Sequence, residues 1–545
     1  MPYRQTSNGS RHARGTTRAT ADALLRAMLI AALPAVAAAQ APFPGLDQYV
    51  TEAMRTWKVP GLSIAIVRND SVLYTKGFGV VTAGGAPVNG ETLFEIGSST
   101  KAFTATLIAM LVTDGKMHYD DRMTQYLPSF ALYDPVASAE LTIRDALTHR
   151  SGLARGELAW LGSSGSRDDV LHRLRFLKPE SPFRSRWSYQ NMMYLAAGQA
   201  AGVAGGSSWD DLVKRRILAP LGMSSTLVTW HNLPNTNIAM PHGITGDSVF
   251  EKPRFNSDNI GPAGSIISNA RDMAQWLRFQ LNDGTVGGTR LVSSAALRET
   301  HTPQIVMGAG GGGGRGGAAD SVPETVFSTY GMGWMVEDYH RQLMWQHGGN
   351  TDGMTTAVGM LPEHRFGVVV LSNMNGSPLP ALLMHYIFDR QLGLPVRDLS
   401  AQAYARSAVQ RRRADSVAAA QLAQRSHGGP PVPLSAFVGT YADSLYGEAT
   451  VALVNGALEL THGLWHGPLE YWNANNFRWT ILPSSPTGPM FIKFEVSPEG
   501  RVTGMYYGLG ADATLLGRKD AGRGRGGGRG TAPPPRSTDR DRGTK

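Results

Sequence analysis

Two regions of the chain alternate apolar and polar positions, and a long stretch of helical periodicity separates the parts of the first. Residues 62–67 (Leu-Ser-Ile-Ala-Ile-Val), a turn at Asn69-Asp70 and residues 71–74 have the pattern of a strand pair. Its counterparts lie far downstream at 344–346, 355–360 and 366–371, the last preceded by Pro362-Glu363. Between them the periodicity is mostly helical, and residues 102–112 are apolar nearly all round, as in a buried central helix. Sheet from both ends with helices between predicts one mixed α+β domain over residues 42–397 whose termini share a sheet.

Beyond it, residues 399–427 are rich in Ala, Gln and Arg and stop at Gly428-Gly429-Pro430-Pro431, predicting a linker helix within 398–433. Alternation returns at 450–454, 457–460, 491–496 and 502–507, with turns at Asn455-Gly456 and Glu499-Gly500. That predicts a small antiparallel sheet or barrel over 434–519. Residues 303–324, with glycines at 310–314 beside Arg315, read as a flexible surface insertion. Residues 520–545, rich in Gly, Arg and Pro, read as a disordered tail.

Composition narrows the function. With 545 residues, 42% hydrophobic and 17% charged, the chain can bury real cores. It has no run of 18 uninterrupted apolar residues, which excludes a multi-span membrane protein. The absence of cysteine removes disulfides, thiolate metal sites and cysteine nucleophiles. A formal charge of +9 suggests nucleic acid until it is mapped: residues 1–26 and 520–545 hold nearly all of it, and 40 basic and 39 acidic groups balance in between. No nucleic-acid partner is therefore expected. The 14 histidines are scattered without a metal-ligand spacing, and the glycine run lacks the flanking strand and helix of a phosphate loop. Neither a metal nor a cofactor is expected, and the oligomeric state is not legible.

Residues 1–41 read as an export signal. Arg4, Arg11, Arg14, Arg18 and Arg26 precede an apolar run at 27–39 that ends in small residues. This implies a secreted or periplasmic protein of bacterial type, or a transient membrane anchor through 27–39.

The chemistry concentrates in three segments. In Phe94-Glu95-Ile96-Gly97-Ser98-Ser99-Thr100-Lys101, Ser98 falls at the start of the buried helix, with Lys101 one turn on over the same face. A serine hydroxyl is a weak nucleophile until a base takes its proton, and an unpaired lysine in a buried helix would be costly. In Trp187-Ser188-Tyr189-Gln190-Asn191, ahead of a helical run at 192–201, a tyrosine beside Lys101 is expected to ionise below its usual value near 10. Asn191 would then orient the lysine and the substrate. In Gln346-His347-Gly348-Gly349-Asn350, after an apolar strand, paired glycines would let a substrate backbone lie alongside. No serine has glycines at both −2 and +2, so a nucleophile elbow is absent.

In the order S-x-x-K, Y-x-N, H-G-G, these motifs resemble the serine β-lactamase and penicillin-binding-protein superfamily, in particular its class C β-lactamase-like hydrolases. Leu147-Thr148-His149-Arg150-Ser151-Gly152-Leu153 and Gly261-Pro262-Ala263-Gly264-Ser265 match further stretches usual in that branch. The resemblance covers about residues 46–394 and implies an antiparallel sheet flanked by helices plus a helical subdomain. It implies that Ser98 is acylated, that Lys101 and Tyr189 share the general-base work without fixing which acts on Ser98, and that Asn191, His347, Gly348, Gly349 and Asn350 line the substrate. The oxyanion would sit between the backbone N–H groups of Ser98 and Asn350.

Two departures from the family pattern bear on substrate. His347 stands where the family often keeps a lysine, and Gly348 replaces a hydroxyl-bearing residue; both weaken carboxylate recognition. An esterase or D-amino-acid peptidase or amidase is thus favoured over an efficient β-lactamase. Gln190, in place of a small residue, is expected to crowd the acyl pocket. Residues 434–519, with Val438-Gly439-Thr440-Tyr441, resemble the lipocalin-like domain often appended to such hydrolases. The substrate would be a small ester, an amide or a peptidoglycan-derived peptide. The alternative is a non-catalytic protein of the same fold that binds or senses a cell-wall fragment.

Overall fold

The computed structural model describes residues 43–231, 233–307, 325–482, 489–509 and 513–519. The expected export signal, the tail after 519 and most of the glycine-rich insertion lie outside these residues. Residues from Gln48 onward cluster as one unit.

The catalytic-size domain is built on an eight-stranded antiparallel sheet. Its strands in chain order are β1 (Gly61–Arg68), β2 (Ser71–Gly79), β3 (Ile305–Val306), β4 (Ser328–Tyr330), β5 (Met335–Tyr339), β6 (Gln342–Thr351), β7 (Met354–Leu361) and β8 (Phe366–Ser372). The order across the sheet is β2-β1-β8-β7-β6-β5-β4-β3. The two chain ends meet where β1 pairs with β8, Ile64 opposite Val370, as the alternation at both ends requires.

Helices cover the two faces. Gly359 turns towards Met384 of the helix Leu379–Gln391 on one face, and Gly367 towards Leu277 of the helix Ala270–Leu281 on the other. Behind the latter lies the helix Thr100–Thr113, buried on every side over residues 100–111 as its apolar sequence predicts. Phe103 stacks on Trp276 at 3.8 Å between ring centroids, a contact worth about 1 kcal/mol beyond its burial. Next to it packs Asn191–Gly205, a second helix of mostly buried residues.

Three expectations change in detail. The H-G-G segment does not follow a strand but lies inside β6, which runs on to Thr351. Ile305–Val306, assigned to the flexible insertion, forms edge strand β3 against β4. The short strands β4 and β5 carried too few apolar positions to be read from sequence.

An exposed helix of 25 residues, Leu399–Ala423, leads to a closed eight-stranded barrel. Its strands β9 to β16 are Gly439–Asp443, Gly447–Val454, Ala457–His462, Trp465–Asn473, Asn476–Trp479, Met490–Val496, Val502–Tyr507 and Thr514–Arg518. Closure comes from β9 pairing with β16, Tyr441 opposite Arg518. Side chains facing inward fill the barrel: Phe437, Phe477 and Phe494 meet edge to face at 4.9–5.4 Å. The α+β domain followed by a β-barrel is the fold class expected.

Candidate active site

The site is assembled at the end of the buried helix. Gly97 takes φ +49° and starts a tight turn, Gly97–Ser99, that feeds the helix Thr100–Thr113. A Cβ on Gly97 would come within 2.9 Å of the Asn350 nitrogen, so only glycine lets this turn lie against β6. The turn that carries Ser98 is thereby brought against Asn350.

Ser98 is half-buried and receives two hydrogen bonds on Oγ: Lys101 Nζ at 3.1 Å and Tyr189 O–H at 2.7 Å. Lys101 is fully buried and also donates to Asn191 Oδ1 at 2.7 Å and to the Ala263 carbonyl at 2.9 Å. Asn191 Nδ2 in turn donates to both oxygens of Glu157, at 3.2 and 3.3 Å. Glu157 pairs with Arg155 at 2.6 Å, and the Arg155 guanidinium sits 4.9 Å from the centre of the Tyr189 ring. Four sequence-predicted residues, Ser98, Lys101, Tyr189 and Asn191, thus meet in one network.

Burial sets the charges. Desolvation pulls the Lys101 amine well below its ordinary value; the Glu157 carboxylate opposes this and Arg155 adds to it. Desolvation also pushes the Tyr189 phenol up, outweighing the Ser98 hydrogen bond and Arg155 that act to lower it. This corrects the expectation that the lysine would draw Tyr189 down: the cost of burying a phenolate outweighs the contacts that favour it.

The H-G-G segment divides in role. His347 is buried, its Nε2 3.0 Å from the Tyr330 hydroxyl and its Nδ1 2.6 Å from the Gly348 carbonyl. Burial and the Lys101 charge push its imidazole down to about 3, so it is neutral near pH 7. Gly349 packs against the preceding loop, since a Cβ there would meet the Ile96 carbonyl oxygen at 1.9 Å. Its missing side chain makes room for protein rather than for a substrate backbone. Gly348 is open, with nothing nearer than 3.4 Å. The first ladder pair of β5 with β6 is Met335 opposite Gln346, so β5 does not pair with residues 347–351. Asn350 is exposed, and its side-chain oxygen accepts from Thr355 Oγ1 and Gly376 N.

Gln190 does not crowd the site. Its Oε1 caps the following helix at Met192 N, and its Nε2 donates to the carbonyls of Ala154 and Arg155. The sequence reading missed Glu157 and gave no role to His149 or Ala263, although two of these lie in segments it singled out. His149 brackets Tyr189: its carbonyl accepts from Ser188 N at 2.9 Å and its Nδ1 from Gln190 N at 3.1 Å, with its ring 4.4 Å from that of Tyr189. For Glu157 the available signal was the Arg155–Glu157 pair, two residues apart and directly after the L-T-H-R-S-G-L stretch. Among the described residues no cluster suited to a metal ion occurs.

With this geometry in hand, comparison with known proteins is decisive for the family. Residues 46–391 match the model of the beta-lactamase family. The chain belongs to that family. It is a hydrolase of the β-lactamase and penicillin-binding-protein superfamily. Residues 423–519 of this beta-lactamase-family chain match a domain of unknown function, DUF3471. The Unguisins hydrolase ungD of Aspergillus violaceofuscus is 28% identical over 461 residues, covering 76% of this chain and 78% of that protein. The octameric penicillin-binding protein homologue from Pyrococcus abyssi superposes with a TM-score of 0.56 at 22% identity, covering 87% of this chain and 98% of that one. The class C beta-lactamase from Rhodobacter sphaeroides gives a TM-score of 0.51 at 21% identity, covering 64% and 99%. These two likenesses concern the beta-lactamase fold.

Proposed function

We propose that the protein is a serine hydrolase that passes through an acyl-enzyme on Ser98 and cleaves esters or amides, D-amino-acid peptide bonds among them. The observation that carries this reading is the double contact on Ser98 Oγ from Lys101 and Tyr189. Their hydrogen bonds support a division of tasks. A neutral amine has two N–H donors and one lone pair. When Lys101 is deprotonated, Asn191 Oδ1 and the Ala263 carbonyl can hold its two remaining N–H donors, and the lone pair then faces Ser98 Oγ in place of the N–H that Lys101 donates there in the structure.

In this mechanism Ser98 Oγ bonds to the substrate carbonyl carbon as its proton moves to Lys101 Nζ. The oxyanion is held by the backbone N–H groups of Ser98 and Asn350. Collapse breaks the bond to the alcohol or amine, which leaves with a proton from the Lys101–Tyr189 pair. Water then attacks the acyl carbon, gives its proton to the same pair, and the acid departs as Ser98 regains its hydrogen. Tyr189 serves as a protonated donor and Lys101 as the base, in line with the directions in which burial drives them.

The neutral His347 and the bare Gly348 offer no cation or hydroxyl to a substrate carboxylate, which favours ester and amide turnover over rapid hydrolysis of penicillins. The relative named Unguisins hydrolase also supports a hydrolase. Residues 1–41 would direct export. The test is turnover of p-nitrophenyl butyrate, a D-Ala-D-Ala peptide and a penicillin by the wild type and Ser98→Ala. We expect ester or peptide hydrolysis that falls at least about 10³-fold in Ser98→Ala, with folding unchanged. Equal turnover by the variant would remove Ser98 as nucleophile, and inertness of the wild type towards all three would favour a binding protein of the same fold.

A further inference from the structure

The loop at residues 154–163 touches both the reactive network and the barrel. At its near end Glu157 holds Asn191, and Asn191 holds Lys101. At its far end the Gly162 carbonyl accepts from Leu464 N at 2.8 Å, in the turn between β11 and β12 of the barrel. Gly162 has φ +71°, and a Cβ there would lie 2.7 Å from the Trp465 ring. A Cβ on Gly463 would strike the Gly162 oxygen at 2.2 Å. Two glycines, one on each partner, are thus required for the barrel turn to seat on the loop.

Other contacts tie the same loop down. Arg173 donates to the Ala159 carbonyl at 2.6 Å and feels the charge of Asp443 in the barrel. Asn259 Nδ2 donates to the carbonyls of Trp160 and Ser163, at 2.9 and 3.2 Å. Asn259 lies four residues before Ala263, whose carbonyl is the other acceptor for Lys101. One acceptor of the Lys101 amine, Asn191, is therefore held directly by the loop on which the barrel sits, and the segment that carries the other, Ala263, is tied to it through Asn259.

We propose that the barrel is a positioning element of the active site: its Gly463-Leu464 turn clamps Gly162 and so keeps Glu157 on Asn191 and Lys101 in register with Ser98. This rests on the reading of Lys101 as the base. Releasing the loop withdraws the Glu157 carboxylate, which supports the charged form of Lys101, together with Arg155, whose smaller influence opposes it, so the amine becomes easier to deprotonate while its aim at Ser98 is lost. Reactivity falls and the acid limb of its pH profile moves to lower pH, in the direction that Glu157→Gln also moves it. A part that only added bulk stability would leave that limb in place.

Leu464→Pro removes the one N–H that reaches Gly162 and leaves the exposed side-chain position otherwise free; Leu464→Ala, which keeps that N–H, is its reference. The readouts are the rate at which a fluorophosphonate labels Ser98 across pH and hydrogen exchange of residues 155–163, with circular dichroism to verify that the barrel is folded. We expect Leu464→Pro to label roughly tenfold more slowly, with a more acid limb and faster exchange of the loop, and Leu464→Ala to match the wild type. If proline unfolds the barrel, Gly162→Ala breaks the same contact from the other side. Faster exchange with unchanged labelling, or no change in either, overturns the proposal. If the wild type is not labelled at Ser98, the nucleophile reading fails separately, and the exchange data alone then judge the clamp: unchanged exchange refutes it.

Discussion

Burial disfavours the charged form of Lys101, while the Glu157 carboxylate two contacts away partly offsets this. That balance gives the site its pH dependence. In the free enzyme the base must be unprotonated, so kcat/KM rises with pH through the depressed Lys101 value, well below the ordinary lysine value of about 10.4. Glu157→Gln removes the influence that raises it, so the acid limb is expected to move to lower pH; a limb that stays put would separate Glu157 from Lys101. His347, already neutral above about 3, contributes no limb near neutrality. A second residue-scale effect concerns stability. His301 is buried against Trp345, ring planes stacked at 3.9 Å, and is pushed down to about 3 by desolvation. Its folded value lies below its unfolded value of about 6.5, so its contribution is complete above about 6.5 and is lost as pH falls towards about 3. Between pH 6 and 4, urea unfolding of His301→Gln should lose about 1.4 kcal/mol per pH unit less than the wild type. Parallel slopes would contradict the buried neutral imidazole.

At the scale of elements, β6 and the turn before the buried helix carry the geometry, and two adjacent glycines there behave differently. Gly349→Ala drives a methyl into the Ile96 carbonyl and should cost roughly 1–3 kcal/mol or more in thermal or urea unfolding. Gly348→Ala has room and should leave stability within about 0.5 kcal/mol. Equal costs would mean that the turn and strand are not in close contact. The sequence carried the buried helix, because apolar residues all round it admit one reading, and the strands with clean alternation. It did not carry the end of β6, where His347, Gly348, Gly349 and Asn350 lack any strand signature and are held extended by pairing with β7, Gly349 opposite Thr356. Nor did it carry barrel strands such as Asn476–Trp479, whose polar residues alternate too briefly to stand out.

For the whole molecule, the three chemical motifs, separated by about 90 and 160 residues in the chain, were legible because each has a local signature. What sequence could not supply was the field between them. The direction in which Tyr189 shifts depends on how deeply the fold buries it, and Glu157 becomes part of the network only when its loop folds back between helix and barrel. The sheet and the buried helix hold a lysine, itself buried, beside a serine, and that burial favours its neutral form. The central claim is that this serine becomes covalently acylated. Its most direct test is intact-mass spectrometry, with peptide mapping, of protein quenched with acid during turnover of a slow ester or penicillin. The account predicts a mass increase equal to the acyl group, located on Ser98, absent in Ser98→Ala and enriched when Tyr189 is replaced by Phe. Turnover without any adduct, or an adduct on another residue, would contradict it.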